Sequence, residues 1–317
     1  MRLRERTRHA LLPDIVLLGI AAIWGGSYLA AQELAAASSA AAVLCARFLP
    51  AAALLLVLHR LRRLRRPERT PSLRGSLRAG SLLGGLRAAT IALETVGVTL
   101  TTATNAGLII GLSILLTPLL ESLATRRRLT LPLLGSVALA LAGIALLVGG
   151  DGLARVNPGD GLILLAAVTR ALLGVAEARV AARDGADVTA LTTVEIAFGA
   201  VLFTLWGGGA LFAHAPAFGA VDWALVLYLS LGCTVLAFLG QLWATQRTSA
   251  SRAGMLLGSE PGWALLIGVA IGGERIGLTG FIGAGVLIVA LLWGRRAEQR
   301  WRDGAAVARE RTGEAAP

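Results

Sequence analysis

Residues Leu12–Ala31 read LPDIVLLGIAAIWGGSYLAA. A single charge, Asp14, interrupts them, and roughly 20 apolar residues are what an α-helix needs to cross about 30 Å of hydrocarbon. The stretch is therefore expected to span a membrane. Working outward, the same pattern recurs between polar or Arg-rich breaks, near 12–31, 39–58, 79–99, 104–123, 131–149, 160–181, 188–211, 222–244, 253–272 and 278–294. That gives ten expected spans. Spans three and four are the least separated, with only the threonine-rich Thr99–Asn105 between them. Composition agrees, because only 15% of the 317 residues are charged and 56% are hydrophobic, against about 25% charged in soluble domains. Such a chain can neither coat a soluble surface nor remain disordered.

Residues 1–31 also fit a secretory signal peptide, with an Arg-rich start, an apolar stretch and small residues at Ala30–Ala31. The apolar stretch is too long for one, and cleavage would leave nine spans. An uncleaved first helix is expected.

All 30 basic residues are Arg, which excludes a P-loop lysine and a Schiff-base lysine. Arg without Lys, together with abundant Ala, fits a GC-rich bacterial genome. With the N-terminus inside, twenty-five of the twenty-seven Arg in loops and tails lie inside, and only Arg155 and Arg275 lie outside. The positive-inside rule predicts such a split. Both termini are expected in the cytoplasm of a bacterial inner-membrane protein, with Asp151–Pro158 and His214–Ala220 outside. The net charge of +11 then reads as a topology signal and an attraction to anionic headgroups, not as a nucleic-acid footprint.

The sequence also resembles itself. Asp14-Ile-Val-Leu-Leu opens span one and Asp160-Gly-Leu-Ile-Leu-Leu opens span six. Thr117-Pro118 in span four answers Glu260-Pro261 in span nine, and Leu133-Leu-Gly135 in span five answers Phe281-Ile-Gly283 in span ten. Three matches in order at nearly one offset suggest two five-helix halves. Five is odd, so the second half enters the bilayer inverted. Inverted repeats place a binding site near the midplane and let access alternate by rocking one half on the other.

Specific residues sharpen this. They are Trp24-Gly25-Gly26-Ser27, Arg47-Phe48, Thr234-Val-Leu-Ala-Phe, Ser259-Glu260-Pro261, Gly273-Glu274-Arg275 and Gly283-Ala-Gly-Val-Leu-Ile. In this order the chain resembles the EamA family of the drug/metabolite transporter superfamily over roughly 12–294. The resemblance implies a secondary transporter that moves a small metabolite outward, with coupling to protons as an option. It departs twice. Arg126-Arg127-Arg128 replaces an acidic-basic pair after span four, and Arg170 stands where the family often has Trp and where Trp24 stands in the first half.

Ionisable side chains inside spans cost roughly 2.5–3.5 kcal/mol each on insertion scales, so each invites a functional reading. The candidates for substrate or coupling roles are Trp24, Arg47, Arg87, Glu94, Arg170, Glu195 and Glu260. Arg87 and Glu94 lie two turns apart on one face of span three, with Thr90 between them. Arg47 and Glu195 occupy nearly equivalent places in spans two and seven, and a structural ion pair and a substrate contact both stay open. Glu121 and Glu177 sit near inner span ends and are expected to reach headgroups. Glu260 is the sharpest case. Pro261 beside it is expected to kink span nine and turn a freed carbonyl toward a cavity, where the carboxylate could exchange a proton. Pro118 is the matching kink in span four. The 39 glycines suit close helix approach.

An enzyme reads poorly. His9 and Asp14 have an H-x4-D spacing that stands alone, and His59 and His214 belong to opposite sides, so no metal site is expected. No G-x-S-x-G elbow and no nucleotide-binding loop occur. No cofactor is expected, and transport must draw on a gradient.

The reading is an all-α integral membrane protein with ten transmembrane helices in two inverted five-helix repeats. Residues 1–11 form a cytoplasmic N-terminal segment, 12–149 the first repeat, 160–294 the second, and 295–317 a charged, poorly ordered cytoplasmic tail. The substrate is expected to be amino-acid-like or a related amphipathic solute. An importer or facilitator of the same fold, or an integral-membrane enzyme or accessory factor, are the alternatives. Expected partners are the small-molecule substrate and the lipid bilayer, with no nucleic acid; a homodimer is left open.

Overall fold

A computed structural model describes residues 2–65, 73–124, 130–148, 157–181, 187–245, 247 and 250–312. Arg126–Arg128, the segment from Asp151 to Arg155 and the tail beyond Thr312 lie outside the described residues. Span one is α1 (Arg2–Ala36), span two α2 (Ala40–Arg65) and span three α3 (Leu77–Val98). Span four is α4 (Ala103–Ile110) with α5 (Ser113–Ala124), and span five is α6 (Leu131–Val148). Span six is α7 (Pro158–Ala181) and span seven α8 (Val188–His214). Span eight comprises α9 (Ala220–Leu227), a π-helical stretch Tyr228–Leu236 and α10 (Ala237–Thr245). Span nine is α11 (Ala250–Leu257) with α12 (Glu260–Ala270), and span ten is α13 (Leu278–Thr312).

Among the described residues, nine helical stretches are long and apolar enough to cross a bilayer. The tenth crossing is the half-helix pair of span nine. Helix pairing follows the inverted repeat. Span two packs on seven, five on ten and four on nine, while one on nine is matched by six on four. The lipid side is apolar, with Leu82, Leu205, Phe212 and Leu278 more than three-quarters exposed.

Lipid tails are as apolar as leucine, so tight backbone approach holds these helices together. The seam between α6 and α13 is the clearest case. A methyl on Gly143 would lie 2.7 Å from Leu287 N and 3.0 Å from Gly283 O, and one on Gly283 would lie 2.7 Å from Gly143 O. Only glycine at both positions permits that contact.

Spans four and nine are both interrupted, in each case on the N-terminal side of the proline. Pro118 lies inside α5, and the turn in span four falls at Gly111–Leu112, carried by i→i−3 bonds from Gly111 N to Leu108 O and Leu112 N to Ile109 O. In span nine the turn falls at Gly258–Ser259, and Pro261 occupies the first turn of α12, where a missing N–H costs nothing. In span nine the break thus falls within the turn before Pro261, where its kink is expected, while in span four the break at Gly111–Leu112 comes well before Pro118. The two interruptions meet: a methyl on Gly111 would lie 2.6 Å from Pro261 Cγ.

The last helix also differs from expectation. The tail expected to be poorly ordered from residue 295 continues α13 as far as Thr312.

Candidate functional site

A cavity of about 540 Å³ lies between the two halves. Its deep wall holds Trp24, Tyr28, Arg47, Thr90, Glu94, Arg170 and Glu260, and its other end reaches Gly254, Arg295, Glu298 and Gln299. The latter residues belong to the span ends on the side of the chain termini, so the cavity runs from mid-membrane toward that side.

The far side is closed. Thr101 donates to Asp160 at 2.5 Å, tying the start of span four to the start of span six. Gln32 at the end of span one donates to the carbonyls of Val98 and Thr101. Glu274, just beyond Gly273 with its positive φ of 65°, accepts from the Ala103 and Thr104 amides at 2.6 and 3.0 Å. A carboxylate there satisfies two open N–H groups of the α4 N-terminus and complements its dipole.

Spans one and eight are stitched reciprocally. Trp24 donates its indole N–H to Cys233 O at 2.9 Å, and Tyr228 donates to Ile23 O at 2.6 Å. The π-helical stretch widens the backbone at this point, as π-bulges commonly do at functional sites, and Thr234 reaches five residues back to Leu229 O. Trp24 also packs on Phe238, ring centroids 5.8 Å apart. Its one donor is used, so the indole offers the cavity an apolar face.

Arg170 centres the deep group. It holds Glu260 through two bonds, Nη1 to Oε1 at 3.2 Å and Nη2 to Oε2 at 3.1 Å. Tyr28 adds its hydroxyl to Glu260 Oε1 at 2.6 Å. Glu260, expected to be able to exchange a proton, has both of its oxygens engaged by a guanidinium and a phenol. Glu94 lies 3.9 Å from the same guanidinium. It is 9% exposed, and its Oε1 has no hydrogen-bond partner among the described residues.

Arg87 forms a second centre nearer the termini side. Nε donates to Glu195 Oε2 at 2.9 Å, and Nη2 lies 2.8 Å from the same oxygen and also bonds Glu177. The Phe238 ring lies 4.7 Å from the guanidinium carbon, a cation–π distance. A smaller cavity of about 300 Å³ adjoins this centre and shares Arg87, Glu177 and Phe238 with the first.

The candidates thus converge, with changed partners. Trp24, Arg47, Arg87, Glu94, Arg170 and Glu260 line the large cavity, and Glu195 lines the small one. Pro118 borders the large cavity too. Arg47 and Glu195 do not pair with each other. Arg47 donates to Thr234 Oγ1 at 3.3 Å, and Glu195 takes Arg87. Glu177, expected to snorkel, instead bonds Arg87 and lines both cavities.

Sequence reasoning passed over Tyr28, Phe238 and Arg295 as site residues and sent Glu177 to the headgroups. Spacing offered signals for three of them. Tyr28 lies one turn beyond Trp24, Phe238 one turn beyond Thr234, and Arg170-x6-Glu177 repeats the spacing of Arg87-x6-Glu94.

The model of the EamA-like transporter family matches residues 11–149 and 157–293, one repeat in each half. No curated protein matches the chain. A solved structure, titled only as the crystal structure of a protein, is similar over 91% of this chain and 98% of its own, with TM-score 0.59 and 16% identity. At that identity the likeness concerns the fold.

Proposed function

The chain belongs to the EamA-like transporter family, and from that premise we propose that it is a secondary transporter exporting a small amphipathic, amino-acid-like metabolite across a bacterial inner membrane in exchange for protons. The observation that carries this reading is the cavity of about 540 Å³, charged and aromatic at its deep end and running toward the termini side, with hydrogen-bonded closure opposite. Alternating access requires such an arrangement: a midplane site, one side open, the other closed by contacts that can break. Trp24 and Phe238 supply an apolar wall, and the Arg and Glu residues supply groups for a polar head.

With the termini in the cytoplasm, as this proposal has them, the cavity opens inward. A cysteine placed at Ala217 is expected to react with an impermeant thiol reagent from outside and one at Gly75 only from inside. The reverse pattern would make the protein face the other way and reverse the proposed direction.

The direct test is flux. Protein reconstituted in liposomes and loaded with a panel of amino acids and related amphipathic solutes should move at least one of them when a pH gradient is imposed. Movement down the solute gradient alone, indifferent to pH, would make it a facilitator. No counterflow of any solute with an intact gradient would favour the enzyme or accessory-factor reading.

A further inference from the structure

The charges bordering the two cavities do not balance evenly. In the deep group, Arg170 and Arg47 face Glu260 and Glu94, two cations and two carboxylates. At the termini-side mouth Arg295 and Glu298 are one to one. Around Arg87 stand both Glu177 and Glu195, and among the described residues no other cation lies within 4.0 Å of either. One negative charge is in excess there. It is shared between Glu195, 1% exposed, and Glu177, whose side chain is 34% exposed toward the cavities.

An uncompensated charge in a low-dielectric interior is costly, and two carboxylates on one guanidinium repel each other. A proton is the smallest cation that removes the excess, and a carboxyl pair can share it. A sodium ion would need more oxygen ligands than two carboxylates already bonded to a guanidinium can offer. We propose that the Glu177–Arg87–Glu195 triad binds one exchangeable proton, with Glu195 holding it in the protein interior and Glu177 passing it to the cavity.

The neighbouring ionisable groups leave this assignment standing. On α2 they are Cys45, Arg47 and His59, all buried, and Arg60, Arg62, Arg63 and Arg65, all exposed. On α3 they are exposed Arg78 and, one turn past Thr90, Glu94; on α7 they are Arg170, exposed Arg179 and, at the far end, Asp160. Span eight carries Tyr228 and Cys233, with Asp222 at its far end. Neither α2 nor the termini-side part of span eight brings a further carboxylate; Asp187 at the start of α8 caps the Thr189 and Ala190 amides, Glu121 lies on α5, which packs on α7, and Glu94 belongs to the balanced deep group. His59, buried on α2 outside the triad, serves as the control.

The site rests on the transporter reading only for its role in flux, because its protonation can be read on the resting protein. Infrared spectra of purified protein in lipid, in neutral H₂O and D₂O buffers, report the carbonyl stretch of a protonated carboxylic acid. The wild type should show the band. Glu195→Gln, which keeps a hydrogen bond to Arg87, should lose it, and so should Glu177→Gln; His59→Gln, Glu94→Gln and Glu260→Gln should keep it. In liposomes, flux by Glu195→Gln should lose its dependence on the pH gradient. A band that survives both triad substitutions, or that disappears in His59→Gln, Glu94→Gln or Glu260→Gln, overturns the assignment. Wild-type flux that follows sodium instead of pH overturns it as well. Absence of flux in the wild type with the band intact would defeat the transporter reading and leave the proton site standing.

Discussion

The two arginine centres are built from one pattern and end in different electrostatic states. Helices α3 and α7 each carry Arg-x6-Glu, as Arg87-x6-Glu94 and Arg170-x6-Glu177, and they pack against each other in opposite directions. Each arginine therefore meets the other helix's glutamate: Arg87 bonds Glu177, and Arg170 lies 3.9 Å from Glu94. A third helix then adds one more carboxylate to each, Glu195 from α8 and Glu260 from α12. At Arg170 the added carboxylate takes a two-point grip and a tyrosine hydroxyl, and Glu94 is left at a distance within reach of Arg47's charge. At Arg87 both carboxylates bond directly, and among the described residues no second cation lies within 4.0 Å of them. What surrounds an ion pair, more than the pair itself, thus decides whether a site is locked or can exchange charge.

Removing the central cation should separate the two centres most strongly. Arg87→Met leaves Glu195 buried without a cation and Glu177 half-buried beside it, and breaking a buried pair in this way costs about 3–5 kcal/mol. A large fall in thermal stability and loss of flux are expected, with a smaller fall for Arg170→Met, because Arg47 remains. Adding Glu195→Gln to Arg87→Met should restore part of the lost stability. No restoration in the double variant would break the picture of an excess charge at Arg87.

Next in size is Glu260→Gln. It loses the charge match to Arg170 while keeping shape, so flux should fall severalfold in counterflow and gradient-driven assays alike, with the pH profile retained. A pH profile that vanished with this substitution would reverse the roles of the two centres.

Tyr28→Phe removes only the 2.6 Å hydrogen bond to Glu260. Hydrogen bonds to charged groups contribute about 1.5–3 kcal/mol, and a shift of that order in thermal unfolding is expected. The shift should shrink when Glu260 is already Gln. Smallest of all is Glu94→Gln, whose oxygen Oε1 makes no hydrogen bond to lose. A stability change within about 1 kcal/mol is expected, and a larger one would mean that Glu94 is held as firmly as Glu260.

The ten spans were legible in the sequence because membrane insertion writes itself in long apolar runs and in the placement of Arg, both local properties. The breaks were only partly so. Pro261 marks the turn at Gly258–Ser259 just before it, but no proline marks the turn at Gly111, where the lack of a side chain lets span four approach Pro261. The site was half legible. A charge in a span is conspicuous by its cost, which marked Arg87, Glu94, Arg170, Glu195 and Glu260. Which charge answers which depends on contacts between helices far apart in sequence, so Glu260 read as able to exchange a proton and Glu177 as a surface anchor. The second Arg-x6-Glu was the one available sign that Glu177 turns inward.

The short helix α4 has a mechanical consequence. Eight residues at 1.5 Å each make a rod about 12 Å long, and its two ends meet different machinery. One end is gripped by Glu274 at the closed face. The flank at Gly107 presses on Tyr28 and Ala264, and the other end at Gly111 abuts Pro261. Tyr28 in turn holds Glu260. α4 is thus a strut between the far-side seal and the deep group of the cavity. A load that displaces Tyr28 or α12 bears directly on the seal, and a short rigid piece can carry it without bending a whole span.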